Sequence, residues 1–583
     1  MLSRSLAVAG AFVVSIASRV SPASASALQA DLDYAVYEGY TNATSGLNEW
    51  RGIRYAAAPV GALRWQAPKA PPTNRTAVVS ATESGPQCPQ AYPAGSPFPF
   101  TAGDEDCLFL DVYAPQNASG LPVLVWIHGG GYGFGNGYQY DLGPFVNANN
   151  NSLVAVSIQY RLGVFGFLSS QEIKDRGVLN AGLLDQAFAL EWVQKNIKQF
   201  GGDPSRVTIS GESAGGGSVM LHAMAANASV GTKLFQNAIA ASPYLPTQWK
   251  FNDNVPTQKY YNFSVEVGCP NNGSVFDCLL TKNTTTLQVA NNDMSQVRAT
   301  YGEWAFLPVT DGSYVTQLPS QQLQNKQVNG VRMLSGNNAN EGGLFAHNPG
   351  APITTESGVR AFVAERFPNL SQQDIDEIVA AYPGSENQTD FKQETDGLRG
   401  PYATNVSQDA VGPQQQANAI YAESTFVCPA YWLASAFTGA GASSAAYHYQ
   451  YSVPFAQHQA DISAYWGPTT PNLSTGFVAA FQQMWGSFVA QGRPAIVTTS
   501  GNGSAAAPPP SFPAWTDQAP RLLNLNQTGG VPYSALSNWG TPVTQYADPG
   551  LVSVFQTADA HQWEAGRGQR CELWRSLGPK ILK

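Results

Sequence analysis

Between Leu121 and Pro243 the apolar residues of this chain gather in short runs separated by helical or polar stretches. Leu121-Pro-Val-Leu-Val-Trp-Ile127 and Val154-Ala-Val-Ser-Ile158 are apolar on both faces of an extended chain, as buried strands require. Val207-Thr-Ile209 is a third, β-branched run. Asn180 to Gln199 repeats at helical spacing, and Val219 to Ala226 is compatible with a helix. Strand and helix in alternation predict a mostly parallel sheet with helices on both faces. Residues 28–117 read as short strands and turns, and 250–430 as helical segments mixed with polar loops, with Ser371 to Tyr382 the clearest helix. Residues 498–513 form a low-complexity surface loop. No internal repeat divides the chain, so residues 28–583 are expected to form one large α/β unit.

Two motifs interrupt this pattern where strands should end. Gly211-Glu212-Ser213-Ala214-Gly215 is a G-x-S-x-G between the third strand and the helix after it. A serine at the apex of a sharp strand-to-helix turn has an exposed hydroxyl and a crowded backbone, so small residues must flank it. Upstream, the strand 121–127 runs into His128-Gly129-Gly130-Gly131-Tyr132-Gly133. Consecutive glycines let the backbone approach a ligand with its N–H groups free. Charge developing on a carbonyl oxygen needs such donors. Here they would be Gly130, Gly131 and, after the serine, Ala214. The run does not spell a dinucleotide or P-loop signature.

These blocks, with Glu105-Asp-Cys-Leu-Phe-Leu-Asp-Val-Tyr113, Tyr160-Arg-Leu-Gly-Val-Phe-Gly-Phe-Leu168 and Phe200-Gly-Gly-Asp-Pro-Ser-Arg206, stand in one order. In them the chain resembles the type-B carboxylesterase family, which includes cholinesterases and fungal lipases. The likeness runs from about Tyr37 to the C-terminus. It implies an α/β-hydrolase fold and a serine ester hydrolase. Six cysteines allow fifteen pairings, and spacing does not choose among them. The resemblance implies Cys88–Cys107, Cys269–Cys278 and Cys428–Cys571.

A serine hydroxyl needs a base, and the base an orienting acid, in the chain order Ser, Asp/Glu, His. His222, His347, His448, His458 and His561 follow Ser213. His222 is too close to the turn, His448 lies in the strand-like Tyr447-His-Tyr-Gln-Tyr451, and His561 in a polar helical tail. His458 lies in a loop, Gln457-His-Gln-Ala-Asp-Ile462, whose His-x-x-acid-Ile setting matches the family's catalytic histidine. Of the acids, Asp311 in Pro308-Val-Thr-Asp-Gly-Ser looks like a turn before a strand. Glu341 follows the apolar run Val331 to Leu334 in a loop and matches the family's acid-Gly position. The expected set is therefore Ser213, His458 and Glu341, with His448 the runner-up base. Glu212, beside the serine, is a candidate for stabilising the imidazolium.

Composition narrows the rest. The chain has 583 residues and a net charge of −9, with no Lys/Arg run of the kind that binds nucleic acid. No Cys/His or paired-carboxylate grouping has metal-ligand spacing, so neither metal nor cofactor is expected. Residues 1–27 read as a secretory signal, with Arg4, an apolar core from Leu6 to Ala17 and small-x-small sites at Ala23-Ser-Ala25 and Ala25-Ser-Ala27. That core is much shorter than the ~20 residues of a membrane span, and no later stretch is long enough. Sequons at Asn42, Asn74, Asn117, Asn227, Asn262, Asn283, Asn387 and Asn502 and an even cysteine count agree with secretion.

The partner expected is a small-molecule ester. Alternatives are a true lipase acting on long-chain triacylglycerol and a non-catalytic, cholinesterase-like adhesion protein. Only 18 residues separate Cys88 from Cys107. The matching loop is a longer lid in the family's lipases and carries a tryptophan for a quaternary ammonium in its cholinesterases. This one has Tyr92, Phe98 and Phe100 but no tryptophan, which argues against choline selectivity.

Overall fold

The computed structural model describes residues 28–382, 408, 410, 412–439, 444–467, 469–496, 511–537 and 540–583. The expected leader 1–27, the sequons at Asn387 and Asn502 and most of the 498–513 loop lie outside these residues.

Three short strands, β1 (Gln29–Asp31), β2 (Val36–Glu38) and β5 (Val78–Ser80), form a small sheet. Eleven others build the large one. They are β3 (Tyr40–Thr41), β4 (Asn48–Arg54), β6 (Phe109–Ala114), β7 (Leu121–Ile127), β8 (Val154–Ile158), β9 (Gly202–Glu212), β10 (Asn237–Ala241), β11 (Arg332–Asn338), β12 (Ala445–Tyr451), β13 (Arg521–Leu536) and β14 (Pro542–Asp559). Their spatial order is β14-β13-β12-β11-β10-β9-β7-β8-β6-β4-β3. From β8 to β13 every junction is parallel, while both ends of the sheet are antiparallel. This is the expected α/β-hydrolase architecture with its mostly parallel sheet.

Strand β7 shows why the centre reads as unbroken apolar sequence. Val123, Val125 and Ile127 point into one buried cluster, and Leu124 and Trp126 into another on the opposite face. On the second face the helix Thr475–Gln491 supplies Phe481, Met484, Trp485 and Phe488 to the cluster that holds Trp126. Each side chain of this kind that is fully withdrawn from water contributes roughly 1.5–3 kcal/mol.

Several sequence expectations shift in detail. The helix after Ser213 begins at Ala214, earlier than its apolar run. Ser371 caps the helix Gln372–Ala381 in a reciprocal box with Asp374. No strand follows Asp311, and the described chain there runs on to the helix Pro319–Gln324. Disulfides join Cys88 to Cys107, Cys269 to Cys278 and Cys428 to Cys571, as the resemblance implies. No described helix is long and apolar enough to cross a membrane.

Candidate active site

Five loops leave the carboxyl ends of neighbouring parallel strands, where ligands gather in open α/β sheets. The glycine loop follows β7, Ser213 follows β9, Ser242 follows β10, Glu341 follows β11 and His458 follows β12. Register keeps these ends level: Ile127 is opposite Gly211, Glu212 opposite Ala241, and Ala241 opposite Gly336. Beyond the strands the Glu341 and His458 loops stay together, with Asn340 N–H donating to the Ala456 carbonyl at 2.9 Å.

Ser213 has φ 57° and ψ −123°, a conformation costly for a residue with a Cβ. The turn is held by Ser213 N–H to the Ala241 carbonyl (3.1 Å) and Tyr244 N–H to the Ser213 carbonyl (2.9 Å). Its flanking glycines are obligatory. A Cβ on Gly211 would come within 2.3 Å of the Gly215 backbone, and one on Gly215 within 2.0 Å of the Ile127 carbonyl oxygen.

The Ser213 hydroxyl oxygen lies 2.9 Å from His458 Nε2. On the other side of the ring, Nδ1 is hydrogen-bonded to Glu341 Oε2. The second Glu341 oxygen, Oε1, accepts from Ser242 Oγ at 2.5 Å and from Asn338 N–H at 2.6 Å. All three principal groups are buried, and Phe426 and Phe345 pack their rings on His458 at 4.5 and 5.1 Å. A hydroxyl bonded to an imidazole that is itself held by a carboxylate can lose its proton as it attacks a carbonyl.

Gly130 and Gly131 have φ of 101° and 61°, which turns the loop beside the serine. Neither N–H donates to a protein acceptor among the described residues. Ala214 opens its helix, so its N–H has no acceptor within that helix. Gly130, Gly131, Ser213 and His458 line a cavity of about 170 Å³. Its apolar walls include Pro93 and Phe98 from the Cys88–Cys107 loop, and Phe134, Trp304, Leu344 and Phe345.

The other sequence candidates lie elsewhere. His448 is buried in β12 between Ser335 Oγ (2.9 Å) and Asn337 Oδ1 (3.0 Å). His222 bonds Tyr314 OH and Gln186 Oε1. Burial pulls each of these imidazoles down to a pKa of about 3, so both are neutral hydrogen-bonding groups. Asp311 receives Asn180 Nδ2 at 2.6 Å and caps the turn through Val315, away from Ser213.

Sequence reasoning missed part of the electrostatics. Asp461, three residues after His458, is fully buried and accepts from Asn338 Nδ2 and Tyr449 OH, both at 3.1 Å. Burial and then the Glu341 charge push its pKa up to about 6, against those hydrogen bonds. Glu212 is also buried, with Oε1 3.4 Å from His458 Nε2. Burial first, then Asp461 and Glu341, raise Glu212 well above the usual carboxylate range. The acid in His-x-x-acid was the available signal for Asp461, and the strand-end position for Ser242.

The fold is that of an α/β-hydrolase. Residues 31–536 match the family described as the Carboxylesterase family, and the chain belongs to it. By that membership it is a carboxylic-ester hydrolase. Over 554 residues it is 30% identical to carboxylesterase patB of Aspergillus clavatus, spanning 86% of this chain and 92% of that protein. Over 374 residues it is 32% identical to Lipase 2 of Diutina rugosa, 58% of this chain and 67% of the other. The solved structure of Aspergillus niger EstA aligns with a TM-score of 0.71 at 28% identity, covering 95% of this chain and 99% of that one.

Proposed function

We propose that this protein is a secreted serine esterase whose catalytic unit spans residues 28–583 and works through Ser213, His458 and Glu341. Ser213 Oγ attacks the ester carbonyl while His458 Nε2 takes its proton. Glu341 accepts the Nδ1 hydrogen and stabilises the imidazolium. The N–H groups of Gly130, Gly131 and Ala214 stabilise the oxyanion. Collapse of the tetrahedral adduct breaks the bond to the alcohol, which leaves with the proton from Nε2. Water then attacks the acyl-serine, and His458 again carries the proton. The observation that carries this reading is the 2.9 Å contact between Ser213 Oγ and His458 Nε2, with Nδ1 bonded to Glu341.

Three disulfides, the leader-like 1–27 and the sequons support export. A small apolar cavity under a short disulfide-closed loop favours compact soluble esters over the triacylglycerol of a lipase. An adhesion role would not require all three groups at bonding distance. Ser213→Ala tests the assignment. Ester hydrolysis should fall on the order of 10⁶-fold with the fold intact, as for other serine hydrolases. An organophosphonate probe should label the peptide that contains Ser213. Retention of a tenth of the activity would remove Ser213 from its role.

A further inference from the structure

A second cavity, of about 310 Å³, shares Trp304 with the one over Ser213 but is lined by neither Ser213 nor His458. Phe167, Trp249, Val255 and Phe306 give it an apolar wall. Its charged lining consists of Lys259, Arg298, Arg366, Glu303 and Glu365. Arg298 is paired with Glu266 at 2.5 Å, and Glu365 is exposed at the rim. Arg366 is only 8% exposed. Its Nη1 stands 2.7 Å from Glu303 Oε1, a contact that is an ion pair without the alignment of a hydrogen bond. Nη2 donates to the carbonyls of Tyr301 and Phe345, while Nε is buried with no partner among the described residues.

Lys259 is the odd member. It projects from the helix Asn254–Glu266 and makes no ion pair or hydrogen bond among the described residues. Burial lowers its pKa, and the more distant Glu303 only partly opposes this. An ammonium partly withdrawn from water with no contacting counter-charge is disfavoured, and an anion in the cavity would offset that cost.

We infer that this cavity binds a small monocarboxylate with an apolar tail, its head on Lys259 and its tail against the aromatic wall. The charge balance sets the class. Glu303 and Glu365 already face or rim the cavity, so a dianion such as phosphate meets repulsion that a single carboxylate largely escapes. The aromatic lining has no use in holding an inorganic ion. Free carboxylic acids are also the class of product that ester hydrolysis releases. The site is separate from Ser213, so its occupancy can be measured without turnover.

The test is calorimetric titration of the whole protein with octanoate. Without the charged partner, Lys259→Met should weaken binding by roughly ten-fold or more, about 1.4 kcal/mol. Lys259→Arg, which keeps the charge, should stay within about three-fold, because less than 1 kcal/mol is then at stake. Neutral 1-octanol should bind the native protein and Lys259→Met alike, and inorganic phosphate should not displace octanoate. Equal octanoate affinity in native and Lys259→Met overturns the proposal. So does displacement by phosphate, or an octanol response to Lys259→Met as large as that of octanoate. Lys259→Gln, with an unchanged melting temperature, guards against misfolding of the methionine variant. Hydrolysis of a short ester should be unaffected by all three changes. An error in assigning Ser213 would show in that assay and leave the titration as it is.

Discussion

Glu212 and Glu341 approach His458 from different sides: Glu341 bonds Nδ1, and Glu212 Oε1 stands 3.4 Å from Nε2, the atom that faces Ser213. In the resting site burial and its two acidic neighbours raise the Glu212 pKa well above the usual carboxylate range. Once His458 becomes an imidazolium, the nearest charge to Nε2 favours an ionised Glu212. The benefit therefore arises in the transition state. Glu212→Gln should lower kcat by about ten-fold, the equivalent of 1.4 kcal/mol, and leave KM nearly unchanged. The same change should raise thermal stability at pH 8, because position 212 then carries no buried carboxyl to ionise. Steady-state kinetics and melting curves decide it, and an unchanged kcat would make Glu212 a packing residue.

Ser213 carries its backbone strain in the folded state whatever its side chain does. At φ 57° and ψ −123° a glycine is at ease and an alanine is not. Ser213→Gly and Ser213→Ala should both be inactive. The glycine variant should be the more stable of the two by about 1 kcal/mol, despite its greater unfolded entropy. Urea unfolding of the two variants measures this. Equal midpoints would mean that the turn stores no strain at the serine.

His448 offers a contrast between a structural imidazole and the one proposed for catalysis. Its two hydrogen bonds join β11 to β12, so His448→Ala takes the imidazole partner from Ser335 Oγ and Asn337 Oδ1. Unmade buried hydrogen bonds cost about 1–3 kcal/mol each. The variant should unfold at lower denaturant but retain most of its kcat per folded molecule, whereas His458→Ala should keep its stability and lose activity. The reverse ranking would move the base to β12.

Those contrasting histidines show what the sequence could and could not reveal. β7 and β8 begin and end as their apolar runs do, because strands buried on both faces are apolar at nearly every position. Ser213 and the glycine loop were legible because close backbone approach demands a string of small residues. Glu341 and His458 were legible through family setting and chain order more than through any local physical pattern. Asp461 and Ser242 were not singled out, since their meaning arises only when β10, β11 and β12 bring their ends together. The long ribbon of β13 and β14 escaped because its sequence is mixed and half-exposed. Lys259 carries no local sequence signal, because only the fold closes a cavity around it.

Asp461 gives the protein a predictable response to pH. Its folded pKa of about 6 lies above the ordinary 3.8. Below pH 4 the group is protonated in folded and unfolded chains alike. Between about 4 and 6 the folded chain retains a proton that the unfolded chain releases, so this group's contribution to stability falls as pH rises, and it levels off above 6. A rise of that size corresponds to about 3 kcal/mol. Asp461→Asn removes this dependence, so its stability relative to the native protein should grow by about that amount from pH 4 to pH 7. Denaturant unfolding at both pH values checks this. A constant difference between the two proteins would show that Asp461 ionises freely in the fold.

The Cys88–Cys107 loop decides between esterase and lipase behaviour. A lid that must move aside at an oil surface needs few bonds to the body beneath it, and this loop has many. Gln90 donates to the Gly135 carbonyl and accepts from Gly135 N–H, and Ala91 N–H reaches the Gly133 carbonyl. Ala94 N–H donates to the Glu303 carbonyl, and Trp304 Nε1 holds the Ala91 carbonyl at 3.0 Å. Closing a loop of this size with a disulfide adds about 3 kcal/mol in the chain-entropy model. Phe98, 57% exposed at the rim, presents an apolar edge without any need for the loop to open. Hydrolysis of a partly soluble ester should therefore saturate smoothly below its solubility limit, with short and medium acyl chains preferred. The measurement is a rate curve carried across that limit, paired with a long-chain triacylglycerol emulsion. A sharp rise at the limit together with rapid turnover of the emulsion would mean that the loop opens despite its anchors, and would give the protein to the lipases.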